Sequence, residues 1–145
     1  MDEAAQENSN SVQVELHQII IREMEHEQYI VLKEVDGVRR LPIMIDSSQA
    51  FAIDRRLKGE AAARPLTHDL LANVIEELGG VLTRIEITKL DYVPGHGGTY
   101  YATIHIKQGE NTVVIDARPS DAIALGVAKT VPIFVSQKVM AEAEV

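Results

Sequence analysis

The residues best able to do chemistry crowd one short stretch, VVIDARPSDAIALG, from Val113 to Gly126, where an apolar strand pattern runs straight into an alanine-rich helix pattern. Asp116, Arg118, Ser120 and Asp121 fall within six residues there. Two carboxylates where a strand end meets a helix start could hold a hard divalent cation such as Mg2+ or Mn2+, which prefers oxygen ligands and keeps several waters. An arginine between them could meet a phosphate in bidentate fashion. Part of the stretch is also an ordinary helix start. Pro119 suits the first helical position and Asp121 complements the helix dipole in the first turn. Asp116 and Arg118 exceed what a helix start requires, and they are read as site residues.

A second polar cluster, RPLTHDLL, sets Arg64, Thr67, His68 and Asp69 at another helix N-terminus, a natural position for an anion. Capping explains much of it, with Thr67 as the expected N-cap and Asp69 in the first turn. His68 either faces solvent or serves the anion. The remaining histidines are weaker candidates. His105 alternates with Tyr101 and Thr103, opposite Ala102, Ile104 and Ile106, and is expected on a solvated or interface face. His96 lies in a glycine-rich loop, and His17 and His26 have no partners close in sequence. No histidine pair has zinc spacing, and there is no phosphate-binding glycine loop, nucleophile elbow or dinucleotide fingerprint. With no cysteine there is no thiolate chemistry and no disulfide framework, which fits a cytoplasmic location.

Several elements must position these residues. Val12 to Ile21 and Gln28 to Val35 read as strands. Asp36-Gly37 then gives a hairpin signal and Arg39 to Asp46 the returning strand. Ser47 or Ser48 is expected to cap the next helix, which ends at Gly59 after Arg55, Arg56 and Lys58. Thr67 to Leu78 is the clearest helix, with Leu70, Leu71, Val74, Ile75 and Leu78 as one apolar face. Val81 to Val93 and Tyr100 to Lys107 are strands joined by the loop around Pro94 to Gly98. A tight turn leads to a strand from Val113 to Asp116, then the helix after Pro119, a short strand and a C-terminal helix starting near Ser136.

The segment Tyr29 to Asp54 aligns without a gap on Tyr101 to Gly126. Tyr29/Tyr101, Gly37/Gly109, Ile43/Ile115, Ser48/Ser120, Ala50/Ala122 and Ala52/Ala124 are identical pairs. The predicted fold class is therefore α+β: two internally duplicated β-β-β-α units with a linking helix, and a mixed or antiparallel sheet packed against helices. Shared positions belong to the fold, the two glycines supplying turn conformations. Asp116 and Asp121 align with Met44 and Gln49, so the fold itself does not ask for carboxylates there.

A chain of 145 residues with 46% hydrophobic and 25% charged residues is one ordinary globular domain. The expected division is a disordered acidic leader over 1–11, the folded domain over 12–135, and a partly helical tail over 136–145. No apolar run is long enough to span a bilayer, and no signal-peptide pattern appears, so no membrane partner is expected. The formal net charge of −8 argues against a broad basic surface for nucleic acid.

IDARPSDAIAL, RPLTHDLL and LPIMID, in this chain, resemble the bifunctional nuclease family over roughly Val12 to Val135. The resemblance implies a compact α+β domain with a duplicated sheet motif, usually self-associating, with a dimer as the first guess. It also implies nuclease activity on both DNA and RNA. On that reading Asp116 and Asp121, with Asp69, hold Mg2+ or Mn2+. Arg118 and Arg64 stabilise charge on the phosphate, Ser120 and Thr67 contact substrate, and His68 is general acid or base. The loop from Pro94 to Gly98 is longer than the family turn. The alternative is a non-catalytic oligomeric module that binds a small anion or nucleotide at the helix N-termini. It is favoured by the acidic composition and by the lack of an aromatic, basic stacking groove.

Overall fold

Strict alternation along the strands decides which way each faces. Arg40, Pro42, Met44 and Asp46 are exposed while Leu41, Ile43 and Ile45 are buried, and Ala102, Ile104 and Ile106 are buried between more exposed neighbours. The computed structural model describes residues 10–95 and 97–143. The expected leader lies outside them up to residue 9, as does His96, and Ser11 is already the first residue of a strand. In chain order the elements are β1 (Ser11–Ile20), β2 (Glu27–Glu34), β3 (Arg40–Asp46), α1 (Ser47–Lys58), α2 (Thr67–Glu77), β4 (Gly80–Val93) and β5 (Gly97–Gln108). There follow β6 (Asn111–Ala117), α3 (Pro119–Gly126), a single 3-10 turn (Val127–Lys129), β7 (Ile133–Ser136) and α4 (Gln137–Ala143).

The fold is α+β. Seven strands form one sheet in the order β3-β2-β1-β7-β4-β5-β6, antiparallel throughout except where β4 lies parallel to β7. Each three-stranded run is followed by a helix, so the order β-β-β-α occurs twice, on either side of β7. Helices α1 and α3 cover one face of the sheet through Ala50, Ile53, Ala122, Ile123, Ala124 and Leu125, all buried. Small residues let α3 approach closely. A Cβ on Gly126 would run into Ile85 Cδ1 and close on Val131. The C-terminal segment forms α4, which buries Val139 and Met140. No helix among the described residues is long and apolar enough to cross a membrane.

Several local expectations change. The N-cap of α1 is Asp46, whose backbone N–H donates to Gln49 Oε1 at 3.0 Å, while Ser47 Oγ turns to the carbonyls of Glu25 and His26. The N-cap of α2 is Leu66, with Thr67 one residue inside; Asp69 Oδ2 accepts the Leu66 N–H at 3.0 Å. Gly109 does adopt a left-handed φ of 61°, but Gly37 does not. At Gly37 the demand is for space, because a Cβ would collide with the Glu34 carboxylate. The loop near Pro94 is short, since β4 and β5 extend until Val93 pairs with Gly97.

The largest correction concerns α2. Four of the five residues of its predicted apolar face, Leu70, Leu71, Val74 and Leu78, are exposed, and the fifth, Ile75, packs inward together with Ala72. A polar tie sets this orientation. Asp69 accepts hydrogen bonds from Arg55 Nη2 at 2.9 and 3.0 Å and from Arg56 Nη1 at 2.5 Å. Arg56 is buried and also donates to the carbonyls of Ala124 at 2.6 Å and Leu125 at 3.3 Å. The carboxylate at the start of α2 therefore has to face the two arginines of α1, and the stripe opposite it is left to solvent.

The Leu66 N–H, working against burial and helped by the two arginines, lowers the Asp69 carboxyl from 3.8 to about 2. A depressed carboxyl stabilises the fold above its unfolded value and loses that contribution as pH falls through the folded one. Asp69→Asn is expected to cost roughly 3 kcal/mol near neutral pH, since it strips a buried guanidinium of its counter-ion. In thermal melts across pH, the gap between wild type and variant should narrow as pH drops from 3.8 toward about 2. A gap that stays constant through that window would remove the ion pair from the account.

Candidate active site

Strand β6 delivers the chain to α3 through Arg118, the N-cap residue, whose extended backbone (φ −73°, ψ 146°) turns into Pro119 at the first helical position. Every residue of α3 from Pro119 to Gly126 is buried except Asp121. Asp121 is the one residue of this helix left partly open, and it presents a carboxylate. Asp121 Oδ2 accepts a hydrogen bond from Arg118 Nε at 2.7 Å, and Oδ1 lies 2.9 Å from His68 Nε2. His68 is the second residue of α2, adjacent to the Asp69 tie.

Electrostatics bind the three together. Burial works to raise the Asp121 carboxyl, but the hydrogen bonds from Arg118 and His68 outweigh it and hold the group below its ordinary value. The same pairing raises the Arg118 guanidinium. An ionised Asp121 facing Nε2 assigns the ring proton to that nitrogen, which leaves Nδ1 as the acceptor. His68 is largely enclosed, whereas the Arg118 side chain is 64% exposed and uses Nε toward Asp121. The result is an ordered series of imidazole, carboxylate and guanidinium.

These groups open into a cleft of about 810 Å³, lined among others by Phe51, Arg55, Thr67, His68, Arg118 and Asp121. Arg118 and Gln49 also line a smaller recess of about 220 Å³, together with Met44, Thr99, Tyr100 and Ser120. A groove thus passes on both sides of Arg118. Residues at the N-termini of α2 and α3 line it, a placement that suits an anionic ligand.

Six of the residues singled out from sequence sit in or beside this groove in different ways. His68, Asp121 and Arg118 meet directly. Thr67 lines the cleft and Ser120, buried, lines the recess. Arg64 is exposed in the connector before α2 and does not line the cleft. Asp69 stands behind the site, its oxygens taken by Arg55, Arg56 and the Leu66 N–H. Asp116 is exposed and pairs across β5 with Thr103, whereas the buried Ala102 pairs with Ala117. Successive residues of a strand face opposite ways, so Asp116 shares the sheet face of Thr103 and His105 and not that of α3.

This arrangement does not fit a resident Mg2+ or Mn2+ ion. The two carboxylates of the junction lie on opposite faces, and both Asp121 oxygens already hold cationic or N–H partners. Among the described residues no three His, Asp or Glu side chains converge as a metal site.

The cleft residues that escaped the sequence reading include Phe51, Arg55 and Gln49. Phe51 carried a signal. Ala50 and Ile53 fix the buried side of α1, and Phe51 falls off it, leaving a 57% exposed aromatic ring at the cleft.

A model of the bifunctional nuclease domain matches residues 30–145. An uncharacterized protein of Mycobacterium tuberculosis is 35% identical over 125 residues, covering 86% of this chain and 71% of the relative. A protein of Oryza sativa subsp. indica named bifunctional nuclease 1 is 28% identical over 111 residues, covering 76% of this chain but 33% of the plant protein. Oryza minuta has a bifunctional nuclease at the same identity and coverage. The motifs that form the groove lie within the matched span, and the chain belongs to the bifunctional nuclease domain family.

Proposed function

We propose that this chain is a phosphodiesterase that cleaves DNA and RNA in the groove at Arg118. The observation carrying this reading is Asp121, the one unburied residue of α3, held between an imidazole and a guanidinium at the edge of an anion-suited cleft. The phosphate sits against Arg118, whose outer nitrogens receive its oxygens and offset charge that builds up as water adds to phosphorus. His68 Nδ1 takes the proton of the attacking water, and Asp121 holds the ring and balances the imidazolium. The P–O bond to the leaving nucleoside breaks, and that oxygen takes a proton from the imidazolium. Nothing in this sequence of steps needs a ribose 2′-hydroxyl, so one site serves both nucleic acids.

Phe51 offers a face on which a base can stack beside the phosphate, a contact that tolerates any base. An acidic protein can hold a polyanion this way, because affinity then rests on one exposed guanidinium and a ring more than on a broad basic surface. The absence of cysteine supports placing the activity in the reducing cytoplasm. The exposed apolar residues of α2 support a homo-oligomer. A second reading, an anion- or nucleotide-binding module without turnover, is favoured by the same pair of helix N-termini opening into one groove.

Cleavage of labelled single-stranded DNA and RNA separates the two readings. His68→Ala is expected to lower kcat about 10²–10⁴-fold, and Arg118→Ala about 10²–10³-fold. Asp116→Asn should stay within about threefold of wild type, a loss of proton-transfer scale being what a catalytic role would give. A chelator arm tests the expected Mg2+ or Mn2+ dependence, which this geometry predicts to be slight. Binding without cutting by the wild type would favour the module, and a collapse in Asp116→Asn would move the centre to the other sheet face. Phe51→Ala, at an exposed position, is expected to raise KM about 5–100-fold with kcat nearly unchanged, the value of one base stack. An unaltered KM would take the ring out of the binding site.

A further inference from the structure

The groove has a waist. Gln49 and Arg118 line both the cleft of about 810 Å³ and the recess of about 220 Å³, so these two side chains stand between the volumes. Phe51 and His68 lie on the larger side. Met44, Thr99, Tyr100 and Ser120 lie on the smaller one. A phosphate at Arg118 with its base on Phe51 fills only the larger side.

Gln49 is the third residue of α1, the place from which a capping glutamate or glutamine reaches back to the N-cap. Its Oε1 accepts the Asp46 N–H at 3.0 Å. A carbonyl must face that donor, so the NH2 end of the amide is fixed as well. Among the described residues nothing accepts from Nε2. Capping therefore uses half of the side chain and leaves its donors unspent at the waist. A glutamate would serve the cap equally and add a favourable first-turn charge, so the cap does not explain why this residue is an amide. Ser120 gives an independent sign on the recess side. It is 4% exposed and lines the recess, and among the described residues its hydroxyl has no hydrogen-bond partner. A buried hydroxyl left unpaired is costly, and one that borders a cavity can be satisfied from it.

We propose that Gln49 is a second phosphate-binding residue and that the groove takes an internal phosphodiester, its phosphate across Gln49 and Arg118 and a nucleoside in each lobe. This rests on reading the groove as a phosphate site, but not on turnover. A phosphodiester has two non-bridging oxygens. Arg118 serves one through its outer nitrogens and the Gln49 amide serves the other, leaving the two ester oxygens to lead into the two lobes. The base on the larger side meets Phe51, and the sugar on the smaller side meets the Ser120 hydroxyl. Charge favours a diester as well. It carries one negative charge, which Arg118 matches with a neutral donor beside it, whereas a terminal phosphate brings nearly two. The consequence is cutting within a strand and not from its end.

Titration calorimetry on the full chain carrying His68→Ala, which removes the proposed base, compares the dinucleotide TpT with thymidine 5′-phosphate and thymidine 3′-phosphate. TpT is expected to bind at least about fivefold tighter than either mononucleotide, the value of one further nucleoside contact, despite its smaller charge. Gln49→Met removes the donors without adding charge, and Gln49→Glu keeps the cap. Each should weaken TpT about 10–100-fold, the scale of a hydrogen bond to a charged group. Gln49→Glu should do so at an unchanged thermal midpoint, a result that a purely capping residue would not give. Ser120→Ala should cost TpT about 2–10-fold and the mononucleotides less. With His68 in place, cleavage should open circular single-stranded DNA. Equal binding of TpT and the mononucleotides, with no loss in Ser120→Ala, removes the second lobe and overturns the proposal. So does a Gln49→Met that binds TpT as its parent does, or a wild type that cuts linear strands only from their ends. If none of the three phosphates binds, the groove itself is no phosphate site and both readings fall. If TpT binds as expected and nothing is cut, turnover alone is lost and the two-sided site stands.

Discussion

One guanidinium organises the helical layer. Arg56 of α1, buried, donates to the Ala124 and Leu125 carbonyls near the end of α3 and to Asp69 near the start of α2. Carbonyls at a helix C-terminus lack intrahelical partners and carry the negative end of the dipole, so a cation is welcome there. Arginine suits the position because its planar fork can serve three acceptors in fixed directions, which a lysine ammonium cannot reproduce. His68 is the neighbour of Asp69 in α2, and Asp121 belongs to α3. The 2.9 Å contact between them is thus set from behind by the residue that joins both helices.

The same tie explains why α2 departs from the usual rule that a helix buries its apolar stripe. Its hydrophobic face would bring Leu70, Leu71 and Val74 inward only by turning Asp69 away from Arg55 and Arg56. That rotation would leave a buried cation without its carboxylate, a cost of several kcal/mol, whereas each exposed leucine forgoes about 1.5–3 kcal/mol of burial. The observed orientation keeps the buried pair intact, and the polar interior of the helical layer thus creates its apolar exterior.

Much of this was legible in the chain because it depends on local signals. The strands follow from alternation, α3 from Pro119 and its run of small residues, and the end of α1 from Gly59, which takes a φ of 70°. That Arg118, His68 and Asp121 belong near one another was also readable, Arg118 because it exceeds what a helix start requires and the other two because the family resemblance sets both motifs in one site. What was not legible depends on partners distant in sequence. The facing of α2 is decided by Arg55 and Arg56 in another helix, so periodicity alone chose the wrong side. Asp116 looked like a partner of Asp121 because the two are five positions apart, yet the pleat of β6 sends it to the opposite face from α3. Gly37 shows the limit on a smaller scale: a hairpin glycine suggested a special φ, but the crowding comes from the Glu34 side chain.

The distribution of cations sharpens what the groove can recognise. Arg55 and Arg56 are both spent on Asp69 and are largely enclosed, with side chains 19% and 8% exposed. Arg118 also has a carboxylate neighbour, but it engages Asp121 through Nε and leaves its outer edge toward solvent. Counting arginines in the sequence therefore overstates the positive field of the cleft. A ligand gains one directional guanidinium contact, two helix N-termini and an apolar wall that includes Phe51, Leu66 and Leu70. On the proposed reading, such a groove suits a phosphate attached to something flat and apolar better than a bare anion, because its apolar wall has nothing to offer a fully hydrated ion. A nucleotide unit would meet both requirements, the phosphate at Arg118 and the base against the wall, whether the bond beside the phosphate is cut or merely held.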